Sequence, residues 1–465
     1  MRALLMLLLL LPSAQAADWP RFRGPNGAGV AESGAYPDTL EPSQAVWHTE
    51  IPLGKSSPAI AGDRIFLTGH RDDTLTTFAL DRTTGRLLWT QDAPMRRLEK
   101  LNRLNDEASA TPVTDGQNVY VFFGGYGLLS YTRDGKERWR VPLGPFTNFH
   151  GMGASPVLAD GKVLMVCDQD IDAHVLAVDA ETGKIAWRAN RPDMVHSFST
   201  PTVYRPANGT PQLLVPGSYQ LVSYSIADGR ELWRRQGLTY QVKSVAVLDG
   251  ERLYFNGWAP GGEPDQRIEL PPFPEALKQL DKDGDQHLSK DEVPQEWQPS
   301  NWDMQDLNKD GVLDAKDWQY YAQRRTSTNS TMALDLRGDR QAELAWQSQR
   351  NMPDVPGVLD YQGVLYLIKN GGILTTLNPE DGSLLWQGRV REALDNYYAS
   401  PVAGDGKVYL ASEKGLVTIL DAGTTPQVRA TVDFGEAIFA TPALLEGRIY
   451  LRTQAHLYCF GGKVN

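Results

Sequence analysis

The chain has 465 residues, a formal net charge of −11 and only two cysteines. An acidic balance of this size argues against a nucleic-acid partner, and neither cysteine belongs to a C-x-x-C or C-x-x-C-H pattern, so zinc and covalent haem are not indicated. Of that charge, −7 falls between Asp281 and Asp317 (11 acidic, 4 basic residues), so the rest of the chain is close to neutral.

Met1 to Ala16 reads as an export signal: Arg2 supplies the positive end, Ala3 to Leu11 the apolar core, and Ala14-Gln15-Ala16 a small-residue cleavage site. The apolar core is too short to span a bilayer, and no cysteine follows it to carry a lipid. The mature protein is therefore expected to be periplasmic or secreted, monomeric and not membrane-spanning. Residues 17–44 form an N-terminal extension that opens Asp18-Trp19-Pro20-Arg21-Phe22-Arg23-Gly24-Pro25-Asn26-Gly27.

From residue 45 the chain is a repeat. A small residue followed by proline recurs at Ser57-Pro58, Thr111-Pro112, Ser155-Pro156, Thr200-Pro201, Ser400-Pro401 and Thr441-Pro442, with degenerate copies at Ser244-Val245 and Val355-Pro356. After each come two apolar strands. In the clearest copies an Asp-x-x-Thr-Gly type turn follows (Asp81 to Gly85, Asp179 to Gly183, Asn378 to Gly382), then a strand carrying tryptophan. Those tryptophans are Trp89, Trp139, Trp187, Trp233, Trp346 and Trp386. Counted at the second residue of the pair, the spacings are 54, 44, 45, 44, 111, 45 and 41. A period near 44 with four short strands per unit predicts propeller blades, and one interval holds an insertion of about 67 residues. The last unit lacks its tryptophan strand, whereas Ala45 to Ile51 is an orphan strand of that type. Joined, they complete an eighth blade. Cys167 and Cys459 fall in strand-like runs and read as buried free thiols.

The insertion carries two acidic twelve-residue loops, starting at Asp281 and Asp306. Oxygen side chains occupy positions 1, 3, 5, 9 and 12: Asp281, Asp283, Asp285, Ser289 and Glu292 in the first, and Asp306, Asn308, Asp310, Asp314 and Asp317 in the second. Position 7 (His287, Val312) would lend a main-chain carbonyl, and position 8 is leucine in both (Leu288, Leu313). This order suits Ca²⁺, a hard cation that takes six to eight oxygens. One such loop alone would read as a solvated turn. Two in tandem, flanked by Phe273, Leu277 and Leu280, then Trp302 and Leu307, then Trp318, Tyr320 and Tyr321, resemble a pair of EF-hands with brief helices. Gln286 stands at position 6 of the first loop, where the pattern wants glycine, and Asp317 at position 12 of the second, where it wants glutamate.

The blade motif, with its Thr-Gly turn and terminal tryptophan, resembles the pyrroloquinoline-quinone-like (PQQ-like) propeller repeat. The fold expected is all-β, an eight-bladed β-propeller closed by N- and C-terminal strands, with a small α-helical EF-hand insertion. Its divisions are 1–16, 17–44, 45–260, 261–328 and 329–465. Within the resemblance, dehydrogenases use a vicinal cysteine pair beside the quinone, which this chain lacks, and exported non-catalytic members use the ring as a docking surface. The expected function is a calcium-binding scaffold or binding module of the cell envelope with two Ca²⁺ sites and no PQQ, its partner a cell-envelope protein or a small ligand. The alternative is a quinoprotein dehydrogenase-like enzyme. Lys55, Glu107, His150, His196, Lys243, Asp354, Tyr397 and Glu436 precede the inner strands and are candidates for lining the central channel, with His150 and His196 a possible shared-ligand pair.

Overall fold

The computed structural model describes residues 18–462 except 98–100, 149, 264, 266, 300 and 350. The expected export signal lies outside the described residues. Among the described residues, eight antiparallel sheets of four strands each follow one another along the chain. Blade 1, for example, runs Ala59–Ala61, Arg64–Arg71, Thr74–Asp81 and Leu87–Pro94 from inside to outside. In the eighth sheet Ala443–Leu445, Arg448–Arg452 and His456–Gly461 take their outer strand from the N-terminus, Trp47–Glu50, with Trp47 opposite Cys459 and Glu50 opposite His456. The ring therefore closes as the orphan strand predicts, and pairing between the two ends of the chain removes the long free edges.

The tryptophans act as wedges between blades. Opposite each on the neighbouring strand sits a small residue: Ala79 faces Trp89, Ser130 faces Trp139, Ala177 faces Trp187 and Cys459 faces Trp47. Cys459 thus serves as a small buried filler, as the sequence predicts of a free thiol. The indole reaches the turn of the next blade. Trp89 Nε1 donates to Arg133 O (2.8 Å), Trp139 to Ala180 O (3.0 Å) and Trp187 to Ile226 O (3.0 Å). The ring packs flat on the turn glycine, which explains the Thr-Gly signature: a Cβ on Gly183 would lie 2.7 Å from Trp139 Cγ.

The small-residue–proline repeat has a second physical basis. The backbone N–H of five of the six hydroxyl residues donates to the hydroxyl oxygen of the next blade: Ser57 to Thr111 (3.0 Å), Thr111 to Ser155 (3.0 Å), Ser155 to Thr200 (2.9 Å), Ser400 to Thr441 (3.0 Å) and Thr441 to Ser57 (3.0 Å). Gly357 donates to Ser400 in the same way (3.0 Å). These links form a girdle around the channel. The two degenerate repeat copies are placed differently from expectation. Inner strands begin at Val247 and Leu359, so the hydroxyl position is held by Val245 and Gly357 rather than Ser244 and Val355. The girdle has its gaps there, and Asn256 Oδ1 takes over by accepting from Val358 N (2.9 Å).

The N-terminal extension lies across one end of the channel. Trp19 bridges Ile60, Pro20 O accepts from Thr114 N (2.9 Å), the Asn26 amide brackets Val203, and Ala403 pairs with Gly29 and Ala31. It thereby caps inner-strand backbone groups that would face the axis unpaired. Arg21 and Arg23 are buried here, donating to Pro201 O and Val358 O (2.8 Å each).

The insertion leaves blade 5 after Arg252–Gly257 and returns at Ser330–Arg337, as the interrupted period predicts. Its described residues hold three α-helices, α1 (Phe273–Leu280), α2 (Trp302–Gln305) and α3 (Ala315–Thr326). Residues 293–299 make a turn in place of a helix leaving the first loop, since Pro294 and Pro299 withhold backbone donors. Leu280, Leu288, Val293, Trp302, Leu313 and Trp318 form its core. α3 is capped by Asp314, whose carboxylate accepts from Lys316 N and Asp317 N, while the Asp317 carboxylate accepts from Asp314 N.

Candidate functional site

Two candidate sites can be built from the described residues. The first is the loop pair. The loops are joined by reciprocal bonds, Leu288 N to Leu313 O (3.1 Å) and Leu313 N to Leu288 O (2.9 Å), both leucines fully buried. In the first loop ligand oxygens of Asp281, Asp283 and Asp285 lie within 4.8 Å of one another. Asp281 accepts from Gly284 N and Gln286 N, and Asp285 accepts from His287 N, so the turn wraps around its own carboxylates. Gln286 sits at φ 67°, the left-handed conformation that the missing glycine would adopt without strain. Glu292 accepts from Lys282 N (2.8 Å) and from Ser289 N and Oγ (2.9 and 2.8 Å), and those main-chain donors hold its carboxyl at about 2.

The second loop repeats the plan. Asp306 accepts from Lys309, Asp310 and Gly311 N–H groups, Asn308 Oδ1 from Asp310 N, and Asp310 from Val312 N. Asp317 is buried at position 12, accepting from Leu307 N (3.1 Å). Burial pushes its carboxyl up to about 7, with the nearby Asp314 and Asp306 adding to the rise and main-chain bonds opposing it. Four carboxylates in one loop (Asp306, Asp310, Asp314, Asp317), two of them (Asp306 and Asp317) buried with no cationic partner among the described residues, suit a divalent cation. These donors and those of the first loop are the residues that would hold Ca²⁺.

α3 rests on the ring. Tyr219 Oη donates to Tyr320 O (2.7 Å), Lys316 Nζ to Asp170 O (3.2 Å), and the Arg324 guanidinium lies 5.1 Å from the centre of the Tyr240 ring. Tyr240 Oη in turn meets His196 Nε2 (3.0 Å), whose Nδ1 bonds Asp170.

The second site is the axial funnel, a cavity of about 320 Å³. Phe22 of the extension is its floor, the girdle hydroxyls form its wall, and Lys55, His150, Lys243 and Asp354 stand at the mouth as the sequence predicts. Lys243 Nζ bonds Asp354 Oδ1 (2.7 Å) and Trp258 O (3.1 Å), and Lys55 Nζ donates to Arg103 O (2.8 Å) and Asn105 O (3.0 Å) and lies 4.1 Å from the centre of the Phe439 ring. Burial lowers the Lys55 ammonium.

The other four candidates lie elsewhere. His196 is wholly buried behind the wall with both ring nitrogens engaged, so it has none to share with His150, although the rings meet edge-on at 5.9 Å. Tyr397 turns into its blade and donates to Ala393 O, and its neighbour Tyr398 takes the lining position. Glu436 bonds His456 Nδ1 (2.7 Å) and Thr453. Glu107 is half-buried outside the funnel lining, its carboxyl raised first by burial and then by Asp106. Phe22, Asn102, Phe198, Gln241, Trp258 and Phe439 line the funnel but were not legible, because the loops that carry them share no spacing.

The chain matches the family model described as "Outer membrane protein assembly factor BamB" over residues 39–148, 76–255 and 311–461. No curated protein matches it. Among solved structures, BamB from Moraxella catarrhalis is 12% identical with a TM-score of 0.54, covering 90% of this chain and 99% of its own. A europium-containing methanol dehydrogenase reaches 0.61 at 10% identity, covering 96% and 98%. Quinohemoprotein alcohol dehydrogenase from Comamonas testosteroni reaches 0.57 at 13% identity, covering 97% and 82%. At these identities the likeness is one of fold. The breadth of the family match decides membership: the chain belongs to the propeller family of the outer membrane protein assembly factor BamB.

Proposed function

We propose that the protein is an exported calcium-binding β-propeller that serves as a binding or scaffold module of the cell envelope, with one Ca²⁺ in each insertion loop. The observation that carries this reading is the seating of the loop pair. The helix that follows the second loop packs through Tyr320 and Arg324 on the ring beside the funnel mouth, so filling the loops would fix part of the surface a partner meets. Family membership and the fold of BamB support the scaffold part. Among the described residues no helix is long and apolar enough to cross a membrane.

Ca²⁺ would supply charge neutralisation in the loops. The chain's own carboxylates and main-chain carbonyls would orient around it, and the Leu288–Leu313 bridge would pass order from one loop to the other. A second reading, a quinoprotein dehydrogenase-like enzyme, draws on the dehydrogenase folds among the structural neighbours. Against it, the two thiols stand in different blades, each buried and raised in pKa by that burial.

A paired titration of residues 17–465 separates the two. The scaffold reading expects calcium uptake, and no reduction of a dye acceptor when PQQ, Ca²⁺ and an alcohol or sugar are supplied. Stoichiometric quinone binding with dye reduction would transfer the protein to the enzyme class.

A further inference from the structure

We propose that the closure of the ring carries a divalent transition-metal site, formed by His48, Glu50 and His456, which clasps the N-terminal strand to the C-terminal one. This goes beyond the scaffold reading and does not depend on the calcium loops. The first observation is register. Trp47 Nε1 and Thr49 Oγ1 donate to Arg82 O and Gly85 O of blade 1. Strand alternation therefore turns His48 and Glu50 to the opposite face, where both are exposed. Glu50 pairs with His456 and His48 with Tyr458, and residues paired across strands share a face. Two imidazoles and a carboxylate thus stand on one face of two strands drawn from opposite ends of the chain.

The second observation is how each ring is held. Glu436 Oε1 meets His456 Nδ1 at 2.7 Å, and Glu436 Oε2 accepts from Thr453 Oγ1 (2.6 Å) and Ala455 N (3.2 Å). An ionised carboxylate only accepts, so Nδ1 carries the proton and Nε2 keeps its lone pair. A histidine whose far nitrogen is tied to a carboxylate is the arrangement that metal ligands use. His48 stacks on Tyr458 (5.5 Å, 26°), which Phe434 meets edge-on (5.2 Å, 81°). Among the described residues neither the His48 ring nitrogens nor the Glu50 carboxylate has a hydrogen-bond partner. An ordinary surface ion pair would account for Glu436 and His456, but it leaves His48 and Glu50, on another strand, without a role.

The third observation is spacing. The His48 and His456 rings lie 6.0 Å apart at 69°. With metal–nitrogen bonds of about 2 Å, two imidazoles on one ion hold their ring centres roughly 5–6 Å apart. Directly opposed residues have Cβ atoms about 4.5–5.5 Å apart, so the Glu50 arm reaches the same point by a change of rotamer. Two imidazoles and one carboxylate suit an ion such as Zn²⁺, whereas Ca²⁺ takes oxygen ligands. Because the strands come from the two ends of the chain, an ion bound here favours the closed ring over one with the N-terminal strand released.

The test titrates Zn²⁺ into residues 17–465, free of a histidine tag and in excess Ca²⁺, read by calorimetry and thermal midpoint. One Zn²⁺ per chain is expected, with a raised midpoint and slower amide hydrogen exchange in the strand Trp47–Glu50. Repeating the titration in Asp281→Ala/Asp306→Ala protein, where the same Zn²⁺ should bind, separates the closure from the calcium loops. His48→Ala and His456→Ala should each weaken binding at least tenfold and remove the rise in midpoint, and His48→Gln serves if the alanine variant does not fold. His70→Ala, which removes another partly exposed histidine–carboxylate pair (His70 Nε2 to Asp106 Oδ2, 3.2 Å), should bind as the parent does. Co²⁺ in place of Zn²⁺ gives a spectroscopic readout of the positioning residue: Glu436→Gln should shift the visible bands and weaken binding about tenfold, with the metal-free midpoint unchanged. No binding at submillimolar Zn²⁺, binding unchanged in both histidine variants, or binding lost with the calcium-loop aspartates would overturn the proposal. Bands and affinity unmoved in Glu436→Gln would overturn the role given to Glu436.

Discussion

Replacing Gly183 by alanine isolates the tryptophan wedge between blades. Gly183 has φ 73°, and an added Cβ would lie 2.7 Å from Trp139 Cγ and 2.9 Å from Trp139 Cβ. The left-handed conformation costs a non-glycine residue about 1–2 kcal/mol, and forcing a methyl group into a filled space adds about 1–3 kcal/mol. Gly161 provides the control within the same blade: its φ is 68°, yet nothing lies within 4 Å of an added Cβ. Gly161→Ala should therefore cost only the conformational part, about 1–2 kcal/mol. Both changes alter the unfolded chain alike, so the gap of about 1–3 kcal/mol between them measures the wedge. Urea midpoints of the two variants supply the comparison. In a Trp139→Leu background the gap should shrink, because the indole that Gly183 accommodates is gone. Equal midpoints for the two alanine variants would refute the reasoning.

Three further outcomes follow from the site. Gln286→Gly, by relieving a residue held at φ 67°, should tighten calcium at the first loop by about 1–2 kcal/mol, roughly five- to thirtyfold, in calorimetry. Asp317, raised to about 7 by burial, must lose its proton to bind a cation. Affinity at the second loop should accordingly weaken as pH falls below about 7, with proton release visible when buffers of different ionisation enthalpy are compared. Asp360 is raised to about 6, mainly by burial and then by Asp249. A carboxyl raised above its unfolded value favours the protonated fold, so its destabilising effect is absent below about 4 and complete above about 6. Asp360→Asn should stabilise the protein by about 1–3 kcal/mol at pH 7.5 and leave it unchanged at pH 4, measured by urea midpoint.

The propeller was legible because every blade repeats the same local problem. Period, turn and tryptophan each recur, and the orphan strand at Trp47 has a matching vacancy beside Cys459. The hydroxyl in each small-residue–proline pair was also in plain view, but its purpose depends on the neighbouring blade, 41 or more residues away. The channel residues were only half legible. Inner-strand register is fixed by pairing, whereas the entering loops differ in length, so a fixed offset before the proline finds Lys55 and Lys243 but exchanges Tyr397 for Tyr398. Equal distance in sequence is not equal direction in space. In the insertion the loop chemistry was clear, yet the missing helix after the first loop follows from Pro294 and Pro299, which outweigh the family pattern.

Limited proteolysis of residues 17–465 in calcium and in a chelator tests most directly whether calcium orders the insertion on a ring that folds without it. The insertion core is small and its acidic loops repel themselves, whereas each blade buries its own strands. The account predicts that chelation opens cleavage between Pro271 and Tyr321 while the ring remains intact as two associated fragments. A single transition that degrades the whole chain, or a cleavage pattern indifferent to calcium, would contradict it.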